Sequence, residues 1–310
     1  MSILLLESVH PDAQALLETH FDVQMGEPAM PLPSNIEPDS IEAIITRGRG
    51  RITASLMQNC PNLKAIARCG AGLDNIDVHA AASAGIPVVF APGKTASAVA
   101  EHTLLLMLAM ARRLPYLTHE VCMGNWDVRG SYEGMELRGK TLGLVGLGAI
   151  GRAVASLAHA FGMRIIYWSR SIKEVPYDRL ELSEVLKQSD FISLHTSLNA
   201  DTRHLIGPAE LDLIRPTAFL INTARGGLVD EKTLLKRLDA KQIGGYATDL
   251  LEKDPPDSDH PFFNHPRTMI TPHTAVLTDR TYRDICVSVA RNVSALLRGQ
   301  PTEKEAIYKA

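Results

Sequence analysis

The residues able to do chemistry in this 310-residue chain gather where apolar, strand-like runs end. Gly146-Leu-Gly148-Ala149-Ile150-Gly151 follows such a run at 141–145 and opens a helical pattern at 152–161. A bare G-x-G-x-x-G is weak evidence, but between strand and helix each glycine has a task. The first permits a tight turn, the second lets backbone approach a pyrophosphate, and the third lets helix close on strand. Unpaired N–H groups at the helix start then favour an anion. The next run, 164–168, ends in Ser169-Arg170-Ser171, with Lys173 after it. A carboxylate is expected here if the ribose hydroxyls of NAD are to be gripped. None is present. A hydroxyl can donate to a 2′-phosphate and a guanidinium can pair with it, so NADP(H) is the expected cofactor and NAD(H) the alternative. The plainer reading leaves Arg170 as a solvated charge. Three more segments follow strand-like runs: Ile221-Asn-Thr223-Ala224-Arg225-Gly-Gly, Gly245-Tyr-Ala-Thr-Asp249-Leu-Leu-Glu252-Lys-Asp254, and Thr271-Pro-His273. In open α/β sheets ligands sit beyond the carboxyl ends of strands, so these segments can converge beside a nicotinamide.

Elements must hold these groups in place. Apolar bursts at 3–6, 21–23, 41–46, 63–67 and 86–89 read as buried parallel strands, with helical lengths between some of them. A second series at 141–145, 164–168, 191–194, 218–222, 244–248 and 269–271 repeats the pattern. The stretch 95–113 has no glycine or proline and is dense in helix formers, so it reads as one long helix ended by Pro115. It is apolar nearly all round, which implies burial on several sides and favours a homodimer. Tyr282, Ile285, Cys286, Val289, Val293 and Leu296 mark a last amphipathic helix from Asp279 to Gly299.

Composition narrows the function classes. The chain is 45% apolar and 22% charged, as in soluble globular proteins with a large core. A net charge of −3 provides no field for nucleic acid or a membrane surface. Four separated cysteines form no C-x-x-C pair, so neither a disulfide framework nor a metal site is expected. The N-terminus lacks the basic lead and long apolar run of a signal peptide, which points to a cytoplasmic protein.

In combination these motifs resemble the D-isomer-specific 2-hydroxyacid dehydrogenase family, which includes glyoxylate/hydroxypyruvate reductases and phosphoglycerate dehydrogenases. The likeness spans nearly the whole chain and includes Gly70-Ala71-Gly72-Leu-Asp-Asn-Ile-Asp, Val99-Ala-Glu-His, Leu137-Arg-Gly-Lys-Thr-Leu-Gly and Thr202-Arg-His-Leu-Ile-Gly. It implies two Rossmann-like doubly wound parallel-sheet lobes, the nucleotide lobe (99–283) inserted into the substrate lobe (1–98 and 284–310). It implies hydride transfer between NADP(H) and C2 of a small 2-keto or 2-hydroxy acid. Arg225 would hold the substrate carboxylate, and His273 would act as general acid/base. The family's acid, normally glutamate, falls on Asp254; Glu252, two residues earlier, is the alternative. Thr196, Thr223, Ala224 and Asp249 join the cofactor contacts, although Asp249 reads almost as well as a strand-end cap. Ala71 and Gly72 resemble a loop whose backbone holds the substrate carboxylate, with Arg47 at another strand end. Against this stand an NAD-linked phosphoglycerate-type dehydrogenase and, outside enzymes, a dinucleotide-sensing corepressor-like protein that shares the fold.

Overall fold

The computed structural model describes residues 1–309. The chain forms two compact units, Met1–Thr95 with Val276–Ala310, and Ala96–Ala275. The first opens with β1 (Ser2–Leu5), α1 (Pro11–Glu18), β2 (Asp22–Met25), β3 (Ile41–Thr46), α2 (Ala54–Asn59), β4 (Ala65–Arg68), α3 (Val78–Ser83) and β5 (Val88–Val89). Its five strands are parallel, in the order β2-β1-β3-β4-β5. Every residue of β1 and of β4 is buried, which is why these runs carry no polar alternation.

The second unit contains α4 (Ala96–Ala111), α5 (Leu114–Cys122), β6 (Thr141–Val145), α6 (Ala149–Ala160), β7 (Arg164–Trp168) and β8 (Asp178–Arg179). It continues with α7 (Leu182–Gln188), β9 (Phe191–Leu194), α8 (Pro208–Leu211), β10 (Phe219–Asn222), α9 (Glu231–Asp239), β11 (Gly245–Thr248) and β12 (Thr268–Ile270). Its seven parallel strands run β12-β11-β10-β9-β6-β7-β8. The chain then returns to the first unit as α10 (Asp279–Leu297), where Ile285, Val289 and Val293 pack with Ile3, Leu5 and Ala67. Each fully buried Val, Leu or Ile side chain among them contributes about 1.5–3 kcal/mol.

Strand order reverses once in each sheet, between β1 and β3 and between β6 and β9. Such switch points open a crevice at the carboxyl ends of the strands. The glycine run follows β6, so it stands at the second switch point.

The single helix expected over 95–113 is α4, and a second helix, α5, follows it directly. The first ends at Ala111, and Arg113 adopts a left-handed conformation (φ 49°) before α5 begins. Pro115 lies in the first turn of α5, where a missing N–H costs nothing, so it starts a helix as well as stopping one. The short edge strand β8 was not foreseen; two residues carry no readable alternation.

Candidate active site

The turn after β6 has the shape that a dinucleotide requires. Gly146 sits at φ +102°, and a Cβ there would lie 2.5 Å from the His195 carbonyl oxygen. A Cβ on Gly151 would lie 2.4 Å from the Gly146 carbonyl oxygen, so α6 can close on the turn only with glycine. At Gly148, the N-cap of α6, a Cβ would meet nothing within 4 Å, leaving the helix start open. Ala149 and Ile150 supply the first helical N–H groups. This cradle fits a pyrophosphate.

Behind it, His195 and Thr196 follow β9. His195 Nε2 lies 2.8 Å from Ser193 Oγ, and among the described residues its buried Nδ1 has no hydrogen-bond partner. Burial pushes the imidazole down to about 3, so it is neutral at physiological pH.

At the end of β7, Ser169 is buried and its hydroxyl donates to the Ser171 carbonyl, while Arg170 and Ser171 are exposed. Among the described residues Arg170 has no hydrogen-bond or ion-pair partner.

β10, β11 and β12 lie side by side, and their ends carry the remaining groups. Buried Asn222 ends β10 and shapes the next turn: its Nδ2 donates to the Arg225 carbonyl (2.9 Å), and its Oδ1 accepts the Ala224 N–H (3.1 Å). Arg225 Nη1 donates to the Ala224 carbonyl (2.6 Å). Thr103 of α4 gives its hydroxyl hydrogen to the Val99 carbonyl (2.7 Å), so the Thr223 hydroxyl donates to Thr103 (2.9 Å).

Asp249, after β11, is buried and organises the following loop. Its Oδ1 accepts from the Thr271 hydroxyl (2.7 Å) and the Thr274 N–H (2.9 Å), and its Oδ2 accepts from the Ala275 N–H (2.8 Å). His102 of α4 contacts Thr271 Oγ1 through Nε2 at 2.8 Å. Held between these groups, His273 takes up φ +53°, and its N–H donates to the Asp249 carbonyl (2.7 Å).

His273 Nδ1 lies 2.6 Å from Asp254 Oδ2. Nδ1 faces the carboxylate, so Nε2 is the ring nitrogen that Asp254 does not engage. Glu252 is engaged elsewhere: its carboxylate accepts from Arg203 and from His204 Nε2 (3.2 Å), and its N–H donates to Glu231 (2.8 Å). Gly226 fixes the loop from behind, because a Cβ there would lie 2.1 Å from the Leu251 carbonyl carbon.

In the first unit, Arg47 follows β3. Its Nη1 donates to the Ser8 carbonyl (3.1 Å), and the guanidinium carbon lies 5.1 Å from the Tyr282 ring centroid. Glu7 occupies the β1/β3 switch point: its Oε1 accepts the N–H groups of Arg47, Gly48, Arg49 and Gly50 at 2.9–3.0 Å. Burial opposes ionisation of Glu7, but these donors and the Thr46 hydroxyl outweigh it and hold the carboxyl below its ordinary range. Ala71 and Gly72 are half-buried, just beyond buried Arg68 at the end of β4. Sequence reasoning missed Glu7, His102 and Thr103 because their roles depend on partners about 40 to 170 residues away in the chain. It also missed Arg179, whose Nε and Nη2 donate to the Ser169 carbonyl.

Residues 104–275 match the model of the "D-isomer specific 2-hydroxyacid dehydrogenase, NAD binding domain". The chain is 37% identical to a glyoxylate reductase of Aeropyrum pernix, over 96% of this chain and 93% of that protein. It is 36% identical to a D-3-phosphoglycerate dehydrogenase of Methanocaldococcus jannaschii over 98% of this chain, which spans 59% of that longer protein. Among solved structures, an NADPH-dependent glyoxylate/hydroxypyruvate reductase of Sinorhizobium meliloti, in complex with NADP and malonate, superposes with a TM-score of 0.88. That pair is 26% identical, over 100% of this chain and 98% of the other. With two parallel-sheet Rossmann-like lobes and these likenesses in sequence and structure, the chain belongs to the D-isomer specific 2-hydroxyacid dehydrogenase family of NAD(P)-dependent oxidoreductases.

Proposed function

We propose that the protein is a cytoplasmic, NADP(H)-preferring reductase of small 2-keto acids of the glyoxylate/hydroxypyruvate type, working as a homodimer. The observation that carries this reading is the 2.6 Å pairing of His273 Nδ1 with Asp254, which leaves Nε2 for a substrate oxygen. Gly146, Gly148, Ala149, Ile150 and Gly151 would hold the pyrophosphate. Thr196, Thr223 and Ala224 line strand ends on which the rest of the cofactor would lie. The bound nicotinamide supplies a hydride to C2 in reduction and accepts one in oxidation. Arg225 binds the substrate carboxylate through two parallel hydrogen bonds and so orients the carbonyl. His273 gives its Nε2 proton to the carbonyl oxygen, and Asp254 stabilises the charged ring from the other side. In the oxidative direction Nε2 takes the hydroxyl proton. Asp249 keeps its place in the cofactor set, although its carboxylate already organises the His273 loop.

Three facts support the remaining parts of this reading. No acid stands at Ser169-Arg170-Ser171 to repel a 2′-phosphate. Among the described residues no helix is long and apolar enough to cross a membrane. Met123 and Trp126, 72% and 65% exposed, join Leu105, Leu114 and Val121 in leaving much apolar surface uncovered around α4 and α5.

The test is initial-rate reduction of glyoxylate, hydroxypyruvate and phenylpyruvate, each with NADPH and with NADH. The expected result is turnover with NADPH favoured about tenfold or more, a difference of ~1.4 kcal/mol. Preference for NADH would replace the cofactor assignment and favour the NAD-linked dehydrogenase. Nucleotide binding without turnover of any 2-keto acid would favour a sensing role.

A further inference from the structure

We propose that Arg179 is the second cation of the 2′-phosphate subsite and helps to set NADP(H) preference; this rests on the cofactor reading above. The turn after β7 is closed on itself. The Ser169 hydroxyl donates to the Ser171 carbonyl. Tyr167 Oη accepts the Lys173 N–H (3.2 Å) and donates to the Lys173 carbonyl (3.3 Å). A hydroxyl has one hydrogen to give, so Ser169 as it stands has none for a phosphate. Recognition of the dianion therefore falls to cations.

Arg170 is one, but its side chain is exposed and has no partner to hold it. Arg179 is held. It sits on β8 opposite Tyr167, and its Nε and Nη2 both donate to the Ser169 carbonyl, at 3.2 and 3.0 Å. Those bonds use two of the five guanidinium N–H groups and fix the group against the residue where 2′-phosphate recognition begins. The neighbouring carboxylate does not compete, because Asp178 pairs with Arg164 (3.4 Å). Among the described residues Arg179 pairs with no carboxylate. A guanidinium already fixed loses less freedom on binding an anion than a free one does. Arg179 thus adds a fixed positive charge to the flexible one at Arg170. NAD(H), which lacks the phosphate, gains nothing from either.

The experiment is calorimetric titration of the intact protein and of R179M, R179K and R170A with NADP⁺, NAD⁺ and adenosine 2′,5′-bisphosphate. R179M should weaken NADP⁺ and the bisphosphate about tenfold and leave NAD⁺ within about twofold, with R179K between wild type and R179M. Should R179M fail to fold, R179K carries the same comparison. Equal weakening of NADP⁺ and NAD⁺ would overturn the proposal, since a brace on the turn would serve both nucleotides alike. Loss of preference in R170A with full preference kept in R179M would also overturn it while leaving the NADP(H) reading intact. A wild-type protein that binds NAD⁺ as tightly as NADP⁺ would remove both.

Discussion

At the scale of single residues, what decides chemistry is which partner each titratable group finds. His273 meets Asp254, whereas Glu252 is committed to Arg203 and His204. We therefore predict that His273→Ala lowers kcat ~10²–10⁴-fold while NADPH binding stays within about twofold. Glu252→Gln should keep kcat within about threefold, and Asp254→Asn should lose ~10-fold or more. A larger loss in Glu252→Gln than in Asp254→Asn would reverse the assignment of the acid. His195 makes a different prediction. Its folded pKa of about 3 lies below the ordinary 6.5, so between these values the unfolded chain binds the extra proton. Stability from this group is fully present above pH 6.5 and is lost as pH falls toward 3. Urea midpoints measured from pH 7 to pH 4 should fall more steeply for the wild type than for His195→Gln. Parallel curves would show that the imidazole is not held neutral.

At the scale of elements, the reactive loops are fixed from behind by helix α4 and by close backbone contact. His102 and Thr103, adjacent on α4, reach the loop before His273 and the turn before Arg225. Gly226 lets the Arg225 turn touch the backbone at Leu251 and Glu252. A methyl group there must push the two loops apart. Gly226→Ala is predicted to lower kcat/KM by ~100-fold or more, in line with the cost of ~1 Å misplacements, while the circular dichroism spectrum stays native. Activity within about threefold of wild type would mean that the loops can separate without consequence. Glu7 plays the corresponding part in the first unit, where four backbone N–H groups on one carboxylate oxygen hold the turn bearing Arg47.

At the scale of the whole molecule, the exposed apolar surface bears on assembly. Leu114, Val121, Met123 and Trp126 stand exposed on α5 and just beyond it, and nothing in the chemistry of the site uses them. A second copy covering this surface would remove apolar area from water at roughly 25 cal/mol per Å². Light scattering on the wild type should therefore give a dimer mass, and Met123→Asp with Trp126→Asp should shift it toward the monomer. A wild-type monomer at micromolar concentration would overturn the dimer proposal.

Much of this was legible from local pattern. Strands β3, β6, β7 and β9 follow directly from apolar runs bounded by breakers, and the glycine run declares its turn because only glycine satisfies both contacts at 146 and 151. The two parallel sheets follow from the two series of apolar runs, and the family from the resemblance its motifs carry in combination. Other features were decided only when distant segments met. Spacing from Arg225 favoured Asp254 and left Glu252, two residues earlier, as the alternative; which carboxylate lies against His273 depended on where Arg203, His204 and His273 stand after folding. The Ser169 hydroxyl looked free to donate until the turn closed on it, and Arg179 looked like any surface charge until β8 paired with β7. Periodicity and turn chemistry are properties of neighbours in sequence, so the chain by itself determined its elements and their order. Hydrogen-bond partners are properties of neighbours in space, so the tertiary structure decided which carboxylate lies against His273, which guanidinium lies against the turn after β7 and which loops touch.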